Sequence, residues 1–221
     1  MRYLIIFVFV FSSGHLYAQE DASISYKEDQ FYIDINFPIQ RNSISGFEQN
    51  GFSRSIHLGY LNDLPLTPKG DKAVAIGLGY GFMRLVNNLN LREKQGELVY
   101  TLPTNNLSLR NVFSYHQIQL PVEFRWRTST PEEHAFWRIY LGYRLSYQFG
   151  GRYNPFFGSP FSVSDQLAPI QHSFSLSAGF NTWNLRLEYG ITPFLKNAVI
   201  TADGRRPHIY PVQIGMIFYI L

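Results

Sequence analysis

Asp34, His57, Glu123, Arg125, Arg127, Arg138, Arg144, Arg186 and Glu188 all fall on the polar side of segments in which apolar and polar residues alternate. Carboxylates and guanidiniums gathered on one face can bind a polar ligand, pass protons, or neutralise one another in a packed interior. The cost of leaving a buried charge unpaired favours mutual neutralisation, with Glu123 and Glu188 as the expected acceptors. Support for nucleophilic chemistry is thinner. Ser55 and His57 share a strand face, Ser173 and Ser175 share another, and His172 lies on an apolar face near a strand end. Hydrolysis needs nucleophile, base and orienting group within hydrogen-bond reach, and serine is also an ordinary small inward residue. His15, His57, His116, His134, His172 and His208 are dispersed, with no pair at the H-x-x-x-H spacing of a metal site. The chain has no cysteine, which removes disulfides, thiol catalysis and Cys-ligated metals, and no cofactor or metal is expected. A third group lies between the alternating segments: Arg92, Arg110, Arg152, Lys196, Arg205 and Arg206, with Tyr100, Tyr153, Phe156, Phe157 and Phe161. Arginine and lysine are suited to phosphate, and contiguous aromatics such as Phe156-Phe157 mark an interface or cover an opening.

The elements that must position these residues are strands, because the alternation has period two. From Trp137 to Phe149 one face is aromatic or aliphatic and the other is polar or small, whereas a helix would scatter Arg138 and Arg144 around its circumference. The same pattern predicts strands over 31–37, 53–61, 73–86, 115–127, 171–180, 183–193 and 209–221. Gly59, Gly77, Gly79, Gly81, Gly142, Gly179, Gly190 and Gly215 all lie opposite the apolar stripe, as a narrow interior requires if it must admit Tyr140, Arg144 or Arg186. The polar face is therefore inside and the apolar face outside, the reverse of a soluble barrel. Lipid offers no hydrogen-bond partners, so such a sheet must close on itself. The fold class expected is all-β: an eight-stranded, antiparallel, up-and-down transmembrane barrel, too narrow for an aqueous channel. Tyr60, Tyr80, Phe82, Trp126, Trp137, Tyr147, Phe149 and Trp183 suit its two interfacial girdles. The connections 128–134 and 181–182 are short, and 62–72 reads as an untidy turn around Pro65, Pro68 and Gly70. The connections 38–52, 87–114, 151–170 and 194–208 are long, and all lie outside the cell if the chain enters from the periplasm.

Composition agrees with a membrane setting, since 16% charged residues falls well below the roughly 25% of ordinary soluble domains. The 19 Lys+Arg against 16 Asp+Glu are too balanced for a nucleic-acid binder. Arg2, the apolar run Leu4–Phe11 and the small residue Ala18 read as a cleaved signal peptide over 1–18, leaving a single barrel domain over 19–221. That apolar run is far shorter than a spanning helix.

The segment Tyr115-His116-Gln117-Ile118-Gln119-Leu120-Pro121-Val122-Glu123-Phe124-Arg125, followed after a turn by Tyr140-Leu141-Gly142-Tyr143, resembles the outer-membrane β-barrel domain family that includes PorT-like proteins. The resemblance implies a Gram-negative outer-membrane location and an eight-strand fold. It also implies a link, through PorT, to a secretion assembly, and it carries over no site residue. The expected function is non-enzymatic: a structural or interaction protein, with outer-membrane lipids, lipopolysaccharide and an envelope protein complex as partners. The alternatives are a lipid-modifying enzyme acting on lipid A or phospholipid, and a surface receptor for a small ligand.

Overall fold

The structure is a computed structural model that describes residues 29–42, 45–94, 97–103, 109–128, 137–196, 201, 204, 206 and 208–220. The signal segment and Arg205 lie outside the described residues. The strands are β1 (Gln30–Asn42), β2 (Arg54–Pro65), β3 (Lys72–Asn87), β4 (Asn90–Lys94), β5 (Glu97–Thr101), β6 (Asn111–Arg127), β7 (Trp137–Asn154), β8 (Phe161–Ser162), β9 (Ile170–Phe180), β10 (Trp183–Gly190) and β11 (Ile209–Ile220). Eight of them close an antiparallel barrel in the order β1-β2-β3-β6-β7-β9-β10-β11, with β11 paired back to β1. β4 and β5 form a separate hairpin, and β8 is a two-residue addition to the edge of β7.

Closure leaves each wall with two faces, and the alternation assigns them. Phe31, Leu78, Leu141 and Leu185 are each at least 60% exposed on the outer wall, whereas Asp34, Arg125 and Arg144 are at most 2% exposed on the inner one. A wall that exposes leucine and buries arginine is stable only if its solvent is lipid. Trp126, Trp137 and Trp183 gather near the end with the short turns, in ring contacts such as Trp137–Phe180 at 5.4 Å and Trp183–Phe218 at 5.6 Å. Tyr80, Phe82 and Phe149 surround His116 toward the other end. These are the two girdles expected from the sequence.

Most strands run longer than the alternation suggests, whereas β10 stops at Gly190, short of the expected 193. β2 continues to Pro65, so the expected 62–72 turn contracts to 66–71 and Asp63 enters the barrel wall. β6 begins at Asn111 and β7 runs to Asn154, carrying the wall into two of the connections expected to be loops. A β-bulge makes the second extension. Gly150 has φ +61, and the pairing slips between Ser114↔Arg152 and His116↔Phe149. The extra residue resets the alternation, so Tyr153 points inward and Arg152 outward.

The interior is layered. Inward residues of β6 read Arg127, Arg125 and Glu123 from the short-turn end, then, past Pro121, Gln119 and Gln117, then Tyr115 and Phe113. Charge gives way to amide and amide to aromatic along one strand. The glycines make room, but not for the side chains expected: a Cβ on Gly79 would collide with the Tyr32 hydroxyl, and one on Gly59 would meet the Tyr32 ring at 2.7 Å.

Candidate functional site

The charged layer draws its ionisable groups from five strands, β1, β2, β6, β7 and β10. Asp34 on β1 accepts from Arg144 of β7 at 3.3 Å and lies 3.4 Å from Arg186 Nε of β10. His57 of β2 places Nδ1 3.2 Å from Asp34 and 2.7 Å from Arg144. Glu188 on β10 receives Arg144 at 2.8 Å, Ser173 at 3.0 Å and Gln213 at 2.9 Å. Arg186 crosses to Glu123 of β6 at 3.2 Å and also donates to Ser175 at 3.0 Å. Glu123 takes a second guanidinium from Arg125, Nε at 3.3 Å. Arg138 completes the set with its guanidinium over the Tyr219 ring, 5.8 Å from the centroid. All eight expected lumenal residues, Asp34, His57, Glu123, Arg125, Arg138, Arg144, Arg186 and Glu188, are therefore buried and brought together.

Sequence reasoning missed Asp63. It takes Arg125 at 2.9 Å and Arg127 at 2.8 Å, and Arg127 also donates to the Gly70 carbonyl at 2.7 Å. Its signal was present, since Leu64 and Asp63 continue the alternation of Leu58 and Tyr60, but Pro65 masked it as a turn. With Asp63 the layer holds four carboxylates against five arginines. Tyr140 and Tyr219 wall this group, Arg125 lying 5.0 Å and 5.6 Å from their ring centres.

Asp34, His57 and Glu188 offer ligand atoms within 4.8 Å of one another, the donor set of a small metal site. Arg144 and Arg186 already reach into it, so a cation there would meet two fixed positive charges at close range. The serines point elsewhere. Ser55 donates to Gln213 at 2.5 Å rather than to His57, and Ser173 and Ser175 serve Glu188 and Arg186. His172 sits on the outer wall against the Tyr143 hydroxyl at 2.6 Å.

Above the amide layer the long connections form an apolar cap. Met83, Leu85, Phe113, Tyr115, Tyr153 and Ile209 from the barrel strands pack with Leu89, Leu91, Tyr100, Val163, Leu167, Phe194 and Leu195 from the connections. Backbone bonds fasten it: Asn88 N to the Glu48 carbonyl at 3.0 Å, and Ala168 N to the Phe194 carbonyl at 3.0 Å. Tyr153 accepts from Leu91 N at 3.1 Å, and Asn111 donates to the Leu89 carbonyl at 3.1 Å. Burial raises the Tyr100 phenol above its ordinary value. Tyr100 and Tyr153, expected among the outward loop residues, are instead core residues, because each faces this apolar layer. Phe161 is also corrected: it is half-buried and packs tilted against Tyr153, ring centres 5.2 Å apart.

Arg92, Arg110, Arg152 and Arg206 remain exposed, as do Phe156 and Phe157 at 53% and 77%. The two phenylalanines meet edge to face at 4.7 Å. Together with Asn90, Arg92 and Asn111 they border a cleft of about 220 Å³.

No curated protein matches the chain. Two solved structures of Ail, the attachment invasion locus protein of Yersinia pestis, share 14% identity with it over 86% of this chain and 99% of theirs. Their TM-scores are 0.35, for the complex with the heparin analogue sucrose octasulfate, and 0.33. The model of the outer membrane protein β-barrel domain matches residues 17–196, and with a closed eight-stranded barrel whose lipid-facing wall encloses a charged interior, the chain belongs to that family.

Proposed function

We propose that this outer-membrane barrel is a non-enzymatic interaction protein, a closed post that holds the capped end outward from the cell and offers its rim to an envelope partner. The observation that carries the reading is the cap. A transport barrel needs a path, whereas here charged, amide and apolar layers fill the interior in succession and all four long connections are fastened over the mouth. A cap this well packed makes a firm base for the exposed pair Phe156-Phe157 and for Arg92, Arg110 and Arg206. The partner class is a protein of a secretion or envelope assembly, in keeping with the PorT-like resemblance.

A photo-crosslinking residue placed at Phe157 in the full chain, in native outer membranes, tests this. One discrete protein adduct, lost when Arg92 and Arg110 are both changed to Gln, is the expected result. Adducts to lipid alone, or unitary conductance steps in planar bilayers, would overturn it.

One observation favours a second reading. The cleft beside Phe156 combines two aromatic rings, Arg92 and two asparagines, which suits a small anionic or sugar-like ligand. Under that reading Phe156→Ala abolishes ligand binding while the Phe157 adduct persists.

A further inference from the structure

Where the lipid-facing stripe ends on the capped side, three arginines lie in one hydrogen-bonded row of the outer wall. Arg54 on β2 stands opposite Arg84 on β3, Arg84 opposite Ser114 on β6, and Ser114 opposite Arg152 on β7. All point outward, Arg54 and Arg152 exposed, Arg84 and Ser114 half-buried. At about 4.8 Å per strand, the row spans about 14 Å. Like charges directly opposite one another on neighbouring strands repel. Among the described residues no carboxylate lies within ion-pair distance of any of the three. Arg84 has the Phe52 carbonyl at 3.2 Å. By contrast, Arg41 is already engaged: it stacks on Tyr189 and Tyr210 at 4.6 and 5.1 Å and donates to the Tyr189 hydroxyl.

The next outward row toward the membrane centre reads Ile56, Phe82, His116 and Phe149, and the one after it Leu58, Tyr80, Ile118 and Tyr147. Unpaired cations thus sit directly over a continuous acyl-facing surface, which is the amphipathic outline of a phosphorylated lipid. Guanidinium is the side chain best matched to phosphate, through paired N–H donors. We propose that Arg54, Arg84 and Arg152, with the Ser114 hydroxyl, seat the phosphate groups of an outer-leaflet lipid whose chains lie over Phe82 and Phe149. The inference rests on the outward orientation of the cap given above.

The full chain is reconstituted in digalactosyldiacylglycerol bilayers, which carry no phosphate. It is compared there with the same bilayers doped with bisphosphorylated lipid A, and with undoped bilayers in inorganic phosphate. In undoped bilayers Arg84→Gln relieves repulsion and raises or leaves unchanged the unfolding midpoint. With lipid A the sign reverses, and lipid retention falls about fivefold per arginine removed. Arg41→Gln, an equal change in charge, leaves retention unchanged. Three results would overturn the proposal: no reversal, equal stabilisation by inorganic phosphate, or equal loss with Arg41→Gln. Gly158→Cys, labelled on intact cells by an impermeant maleimide, separates the two readings. Labelling without lipid dependence defeats the lipid seat alone, and absence of labelling defeats the orientation on which both rest.

Discussion

The barrel's interior and its cap are equally well buried, yet they are held by opposite physics. In the lumen Arg125, Arg144 and Arg186 are at most 2% exposed, as are Leu85, Phe113 and Phe194 in the cap. The difference lies in what surrounds each region. The wall spends its apolar residues on the lipid side, so the inward positions are left to polar groups that must satisfy one another without water. The cap stands beyond the lipid, where water is the alternative solvent and burying apolar area stabilises as it does in a soluble domain. One chain therefore contains an inside-out core and an ordinary one, separated by a layer of amides such as Gln117 and Gln119, paired at 3.0 Å.

Breaking the lumen should have the largest effect. Glu123 is the shared acceptor of Arg125 and Arg186, so Glu123→Ala leaves two guanidiniums short of a partner and costs about 3 to 5 kcal/mol. The loss should appear as a cooperative drop in the denaturant midpoint of the whole barrel in bilayers, nearly independent of salt, because buried pairs are poorly screened. A loss confined to the cap would mean that the lumen does not hold the ladder together.

The cap should fail locally instead. Phe194 lies 5.5 Å from Phe113 and stacks on Tyr115 at 6.0 Å, so Phe194→Ala removes the centre of the apolar cluster at a cost of about 3 kcal/mol. Amide exchange should rise in 155–169 and 191–196 while the barrel ladder between β1 and β11 keeps its protection. If both rise together, the cap and barrel are one cooperative unit rather than two.

Those two regions were not equally legible in the sequence. The lumen could be read because period two assigns a face to every strand residue, and a face holding Arg138, Arg144 and Arg186 cannot lie against lipid. Asp63 escaped because Pro65, Pro68 and Gly70 carry turn signals stronger than two further residues of alternation. The cap was invisible for a deeper reason: Leu89, Leu167 and Phe194 share no period, and they meet only because closure of the barrel brings four distant connections over one mouth. Tyr153 and Phe161 accordingly looked like surface aromatics.

A smaller lumenal effect follows from volume rather than charge. Gly79→Ala drives a methyl toward the buried Tyr32 hydroxyl, and a packed narrow barrel has no spare rotamer to offer, so about 2 kcal/mol is expected. Tyr32→Phe in the same chain should recover part of it, measured by the same midpoint. Failure to recover would place the strain in the backbone of β3.

The seam between the two regions gives the finest test. Gly150 adopts φ +61, and a Cβ there would approach the His116 ring at 2.9 Å, so Gly150→Ala should cost about 1 to 2 kcal/mol. Its value lies less in that cost than in its route. The bulge is what turns Tyr153 into the cap and Arg152 out to the wall, and a β7 that escapes the strain by losing the extra residue must exchange those two side chains. Deleting Gly150 forces that exchange: an arginine enters the apolar cap, the Tyr153 bonds to Leu91 and Asn90 are lost, and the cap opens although the charged lumen is untouched. Exchange rates showing a protected cap in the deletion variant would mean that the rim tolerates either register, and the boundary between inside-out and ordinary core would then be set by the connections rather than by β7.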